Sequence, residues 1–122
     1  MLFRSRILQT ADLARLGEEG RQELLKRLDD PDSAVRFWAV MVLCSYGCDA
    51  VTIERLTPLL EDDSISVSLA AADCLVRAGE GALTIAAFTR ALESNILWAR
   101  IRAGAYLSYR SREQLQIGRA HV

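Results

Sequence analysis

Features that announce a site are scarce in this 122-residue sequence. There is one histidine, His121, and no set of acid, base, nucleophile and metal-ligand residues gathers into a recognisable motif, so no catalytic, cofactor or metal site is expected. Neither sign of charge dominates: 15 basic residues face 16 acidic ones interspersed along the chain, which argues against the basic stripe of a nucleic-acid binder. The longest apolar run, Phe37 to Cys44, is too short to cross a bilayer, and Met1-Leu2-Phe3-Arg4-Ser5-Arg6 lacks the apolar stretch of a signal peptide. Only two prolines interrupt the chain, and signals for strands are absent. Cys44, Cys48 and Cys74 are odd in number and lack the C-x-x-C spacing of zinc or redox sites. They read as buried free thiols, with a Cys44–Cys48 contact one helical turn apart as the alternative. They do not fix the compartment.

What is present is repetition. Leu24-Leu25-Lys26-Arg27-Leu28-Asp29-Asp30 aligns with Leu56-Thr57-Pro58-Leu59-Leu60-Glu61-Asp62 and with Phe88-Thr89-Arg90-Ala91-Leu92-Glu93-Ser94 at a constant offset of 32 residues. The register holds downstream, where Ala39, Ala71 and Ala103 coincide, then Leu43, Leu75 and Leu107, and Gly47 matches Gly79. Such a period marks stacked supersecondary units.

Each unit reads as two helices. The first helices fall near residues 20–28, 52–60 and 81–92 and end at acidic turns that also cap the next helix. The second, near 33–46, 64–78 and 96–109, carry apolar stripes at i, i+4 and i+8: Val35/Ala39/Leu43, Val67/Ala71/Leu75 and Ala99/Ala103/Leu107. The central alanine lets paired helices approach closely, and Gly47 and Gly79 stand where a helix C-cap needs a left-handed residue. The expected organisation is an N-terminal helix over 1–16, repeats over 20–47, 52–79 and 81–110, and a tail over 111–122. The N-terminal helix is either a cap or the second helix of a preceding unit, in which Arg4 would match Arg36, and Ile7 and Ala11 would match Ala39 and Leu43.

The pattern Leu28-Asp29-Asp30-Pro31-Asp32-Ser33-Ala34-Val35-Arg36-Phe37-Trp38-Ala39 resembles the short HEAT-like repeats of the phycobilin-lyase type. That resemblance implies an all-α solenoid of about three two-helix repeats acting as a scaffold or docking module for a protein partner. More narrowly, Ala11-Asp12-Leu13-Ala14, residues 30–39 and residues 68–80 look like the helical-repeat extension C-terminal to the catalytic domain of some bacterial sulfatases. Sulfatase chemistry does not follow, because no C/S-x-P-x-R motif is present. The resemblance implies a piece of a larger enzyme, periplasmic or extracellular if that parent is secreted and cytoplasmic otherwise. A free-standing adaptor is the competing reading. HEAT-like di-iron enzymes need several histidines, and HEAT-like DNA glycosylases need a basic cleft, so neither is expected.

Gln116-Ile117-Gly118-Arg119-Ala120-His121-Val122 has no helical period. Reverse-translated, it resembles a widely used short-read sequencing adapter. The expectation is that 117–122 is adapter-derived and that the native sequence continues past about Glu113.

Two surface readings follow. Opposite the buried stripe of the first unit lie Phe37, Met41, Cys44 and Ser45, which with Trp38 and Trp98 form the candidate docking surface; burial at an inter-repeat seam is the alternative. Asp30, Arg36, Asp62 and Arg100 are expected to form a ladder of charge-assisted hydrogen bonds between turns, with Ser68 as a broken rung.

Overall fold

A computed structural model describes the backbone of residues 5–120 and the side chains of residues 6–115. Seven α-helices run in chain order: α1 (Ser5–Asp12), α2 (Gly17–Arg27), α3 (Ser33–Ser45), α4 (Ala50–Leu56), α5 (Ile65–Arg77), α6 (Ile85–Leu92) and α7 (Leu97–Ala120). Tight 3₁₀ turns at Leu13–Leu16, Thr57–Glu61 and Gly81–Thr84 follow α1, follow α4 and precede α6. No strand occurs among the described residues.

The turn chemistry places each second helix. The Asp32 carboxylate accepts the Ala34 amide at 2.9 Å to start α3, and the Ser64 hydroxyl accepts the Val67 amide at 3.4 Å to start α5. Gly47 and Gly79 end these helices at φ of 87° and 84°, a region that any side chain would strain. After Gly79 the Glu80 amide reaches back to the Leu75 carbonyl at 2.8 Å, which closes the helix end.

The alanine stripes behave as their spacing predicts as far as Ala103, and Leu107, which ends the third, is half-buried. Val35, Ala39, Leu43, Val67, Ala71, Leu75, Ala99 and Ala103 are fully buried, and the first helices cover them with Leu24, Leu28, Leu56, Leu60, Phe88 and Ala91. α1 packs on α3 and α3 on α5, while α2 packs on α3 and α6 on α7, so the second helices form one layer and the first helices the other. The result is an all-α solenoid of two-helix units.

Four expectations need correction. The first helices of the second and third units are broken: Pro58 supplies no N–H to an α-ladder, and the chain tightens into a 3₁₀ turn there. Leu92, which aligns with buried Leu28 and Leu60, is 41% exposed. α7 runs on to Ala120 where the tail was read as aperiodic; Arg, Glu, Gln and Leu all favour helix, and no proline stops it. Of the residues read as adapter-derived, His121 and Val122 lie outside the described residues.

The fourth correction concerns the N-terminus. Thr10 is fully buried while Ile7 and Ala11 are half-buried, so the 32-residue register does not extend upstream. An offset of 30 instead matches the helix end and its arginine, while Gln9, laid on fully buried Ala39, is exposed. It lays Arg6 on Arg36, Thr10 on Val40 and Gly17 (φ 59°) on Gly47, and α1 meets α3 as α3 meets α5. Tyr46 ties this segment down by donating its hydroxyl to the carbonyls of Leu13 and Ala14 at 3.0 and 3.1 Å.

Candidate docking groove

The face of the second-helix layer is shaped by differences between units. At one equivalent position the units carry Ala34, Ser66 and Trp98; at another they carry Trp38, Ala70 and Arg102. The middle unit therefore has small side chains where a neighbour has large ones. α5 is recessed between α3 and α7 as a consequence.

The recess is a groove of two hollows that meet at Phe37 and Ser66. One, of about 290 Å³, is walled by Phe37 and Met41 from α3 and by Trp98 and Arg102 from α7, over a floor of Ser66, Leu69, Ala70 and Asp73. The other, of about 270 Å³, lies between Ala34, Phe37 and Trp38 on α3 and Ser64 and Ser66 at the start of α5. Neither tryptophan is buried at a seam: Trp38 is 40% and Trp98 49% exposed, as is Met41 at 43%. Phe37 supports Trp38 edge-on, with ring centroids 5.7 Å apart. One charged contact edges the groove, the Arg102 guanidinium donating to the Asp73 carboxylate.

Of the residues read from sequence as a docking surface, Phe37, Trp38, Met41 and Trp98 line this groove. Cys44 does not: its sulfur accepts from Arg77 Nη1 at 3.4 Å and faces Cys74. Ser45 is likewise elsewhere, its hydroxyl donating to the Val42 carbonyl at 2.6 Å. Ser66, Ala70, Asp73 and Arg102 were not anticipated. The columns Ala34–Ser66–Trp98 and Trp38–Ala70–Arg102 are the signal that would have found them.

On the opposite edge, arginines join successive turns. Arg36 donates from Nε and Nη2 to the two carboxylate oxygens of Asp62, both at 2.9 Å, and from Nη1 to the Asp30 and Pro31 carbonyls at 2.9 and 3.1 Å. The bond to Asp62, reinforced by the charges of Asp62, Asp63 and Asp30 against the cost of burial, raises the pKa of Arg36. Asp30 is engaged one turn upstream by Arg6 at 2.9 Å, a contact missed because the 32-residue register placed Arg4 there. At Ser68, Arg90 reaches over from α6 to the Leu60 carbonyl, which also accepts the Ser68 hydroxyl at 2.7 Å. Among the described residues Arg100 meets no carboxylate, and it donates to the Ser94 carbonyl at 2.9 Å. Position 94 is serine where the first two units carry Asp30 and Asp62.

The cysteines form a third feature. Cys48 and Cys74 are in contact, with their sulfurs 2.8 Å apart, whereas the one-turn relation of Cys44 to Cys48 is lost where Gly47 turns the chain out of α3. Cys74 is fully buried; Cys44 and Cys48 are half-buried. Burial, followed by the hydrogen bonds of Cys48 and Cys44, pushes the Cys74 thiol well above its usual value. The folded state thus keeps a proton that the unfolded chain releases above about pH 8.5. Stability from this group is complete below that pH and falls as the pH rises above it. Urea titrations at pH 7.5, 9 and 10 on wild type and Cys74→Ala should show a steeper alkaline loss in the wild type.

Among the described residues, no group of three or more His, Cys, Asp or Glu side chains could hold a metal ion, and no helix is long and apolar enough to cross a membrane. The fold defines the class, an α-solenoid of stacked helix pairs. The family model for HEAT repeats matches residues 21–109, and the chain belongs to the HEAT-repeat family. HEAT repeats serve chiefly in protein interactions. Neither a curated protein nor a solved structure matches the chain significantly.

Proposed function

We propose that this chain is a non-catalytic docking segment that receives a protein partner in the groove over α5. The carrying observation is that Trp98, Met41 and Trp38 stand exposed around a groove floored in part by Ser66 and Ala70, where apolar anchors of a partner are desolvated on contact. The balanced charge of the chain supports a partner chosen by apolar fit and hydrogen bonding over one steered by net charge.

A pull-down from lysate with wild type and the Phe37→Asp/Met41→Asp variant tests this. The wild type should retain a partner that the variant loses by at least about tenfold, since two apolar wall residues become charged and a combined loss of about 1.4 kcal/mol is tenfold. Equal recovery removes the groove as the docking site. Circular dichroism of the variant should stay helical, as Met41 is exposed and Phe37 half-buried.

Attachment to a bacterial sulfatase rests on the sequence likeness of residues 7–110 and gains nothing from the comparisons. In that reading the groove holds the catalytic domain of the same protein. The genomic sequence on both sides of the chain discriminates. A sulfatase domain upstream supports an intramolecular partner, and a separate start signal with capping repeats supports a free-standing adaptor. The same sequence shows whether the native frame departs from residues 117–122.

A further inference from the structure

All three cysteines converge where the turn after α3 meets α5, and their arrangement is unequal. Cys48 lies outside helical structure, between Gly47 and the Asp49 cap of α4, so its backbone is not locked by a helical ladder. Its sulfur is 2.8 Å from Cys74 Sγ. A disulfide bond is about 2.05 Å long, so closure needs a movement of under about 1 Å. Cys44, in the last turn of α3, is held through its sulfur by Arg77 at 3.4 Å. Cys74 sits inside the core and meets no solvent.

We propose that Cys48 and Cys74 are a disulfide-forming pair in which a low-molecular-weight disulfide oxidant reacts at Cys48 and Cys74 completes the bridge. In the first step the Cys48 thiolate attacks one sulfur of the oxidant RSSR, the S–S bond of the oxidant breaks, and one RS⁻ leaves. In the second, Cys74 gives its proton to RS⁻ and its sulfur attacks Cys48 Sγ, expelling the second RS⁻, which takes up the proton lost earlier by Cys48. One RSSR is reduced to two RSH while two cysteine thiols are oxidised to one disulfide.

The order of the steps follows from access. Burial keeps Cys74 protonated and away from the oxidant, so capture begins at half-buried Cys48. Once Cys48 carries the mixed disulfide, contact with Cys74 makes the second displacement intramolecular, and proximity offsets the weak acidity of the buried thiol. The bridge joins positions 26 apart and ties the end of the first unit to the second helix of the next. It fixes the crossing of α3 and α5, on which the Phe37 and Met41 wall of the groove stands.

The test uses the full chain incubated with glutathione and glutathione disulfide at graded ratios, quenched in acid, alkylated and mapped by mass spectrometry. The expected product is a monomer lighter by two hydrogens, with Cys48 and Cys74 peptides joined and Cys44 alkylated. Its urea unfolding midpoint should lie above that of the reduced chain. Cys44→Ala should still form the bridge, and Cys48→Ala should form none. A bridge that includes Cys44, a mixed disulfide that stops at Cys48, intermolecular dimers, or a chain that stays reduced across the series would each overturn the proposal. The wild-type map decides even if a variant folds poorly.

Discussion

Replacing Phe88 with alanine should lower the stability of the chain by about 4 kcal/mol, the middle of the range for truncating a buried phenylalanine. Phe88 is fully buried on α6 and stacks against Tyr106 of α7, with ring centroids 4.3 Å apart, so truncation empties the contact that joins the third pair of helices. A domain of this size has a total stability of about 5–15 kcal/mol, and the loss is a large share of it. The damage should be local first, because units in a solenoid are held by their neighbours. Hydrogen exchange followed by mass spectrometry should show α6 and the start of α7 losing protection while α2 and α3 keep most of theirs. Uniform loss along the chain would mean that the array unfolds as one body.

Arg36→Ala is the second large effect. The guanidinium supplies two bonds to Asp62 and two to backbone carbonyls, and the Asp62 side chain is only 7% exposed. Removing the cation leaves a buried carboxylate with the Ser64 amide, at 2.9 Å, as its remaining described donor. Breaking such a pair costs about 3 kcal/mol or more. In thermal terms that is a drop of roughly 10 °C for a domain of this length. Arg36→Met with Asp62→Leu should recover much of the loss, because an apolar pair removes the stranded charge. A double variant as unstable as Arg36→Ala would show that the bonds to the Asp30 and Pro31 carbonyls, not the ion pair, carry the effect.

These two sites also show what was legible in the sequence. The helix pairs, their alanine seams and the glycine stops were readable because burial imposes one residue class at every 32nd position. The groove was half legible. A list of large apolar residues on α3 identified Phe37, Trp38 and Met41, but a hollow is made by what is small, and Ser66 and Ala70 become informative only when compared with Trp98 and Trp38 in the same columns. Cys44 was misplaced because helical spacing alone does not say that α5 brings Arg77 and Cys74 to its sulfur. Arg6 was missed because the first turn is two residues shorter than the others, and only Gly17 preserves the true register. Arg90 and Leu92 depended on tertiary neighbours that no local pattern encodes.

In the proposed function, contact with a protein partner is made through the face where α3 and α7 rise above α5. A photo-crosslinking amino acid placed at Trp98, compared with one at exposed Glu54 on the first-helix layer, tests it most directly. Position 98 should yield one discrete adduct, lost on adding Phe37→Asp/Met41→Asp, and position 54 should yield none. A discrete adduct from position 54, or an adduct at position 98 that survives those two substitutions, would contradict it.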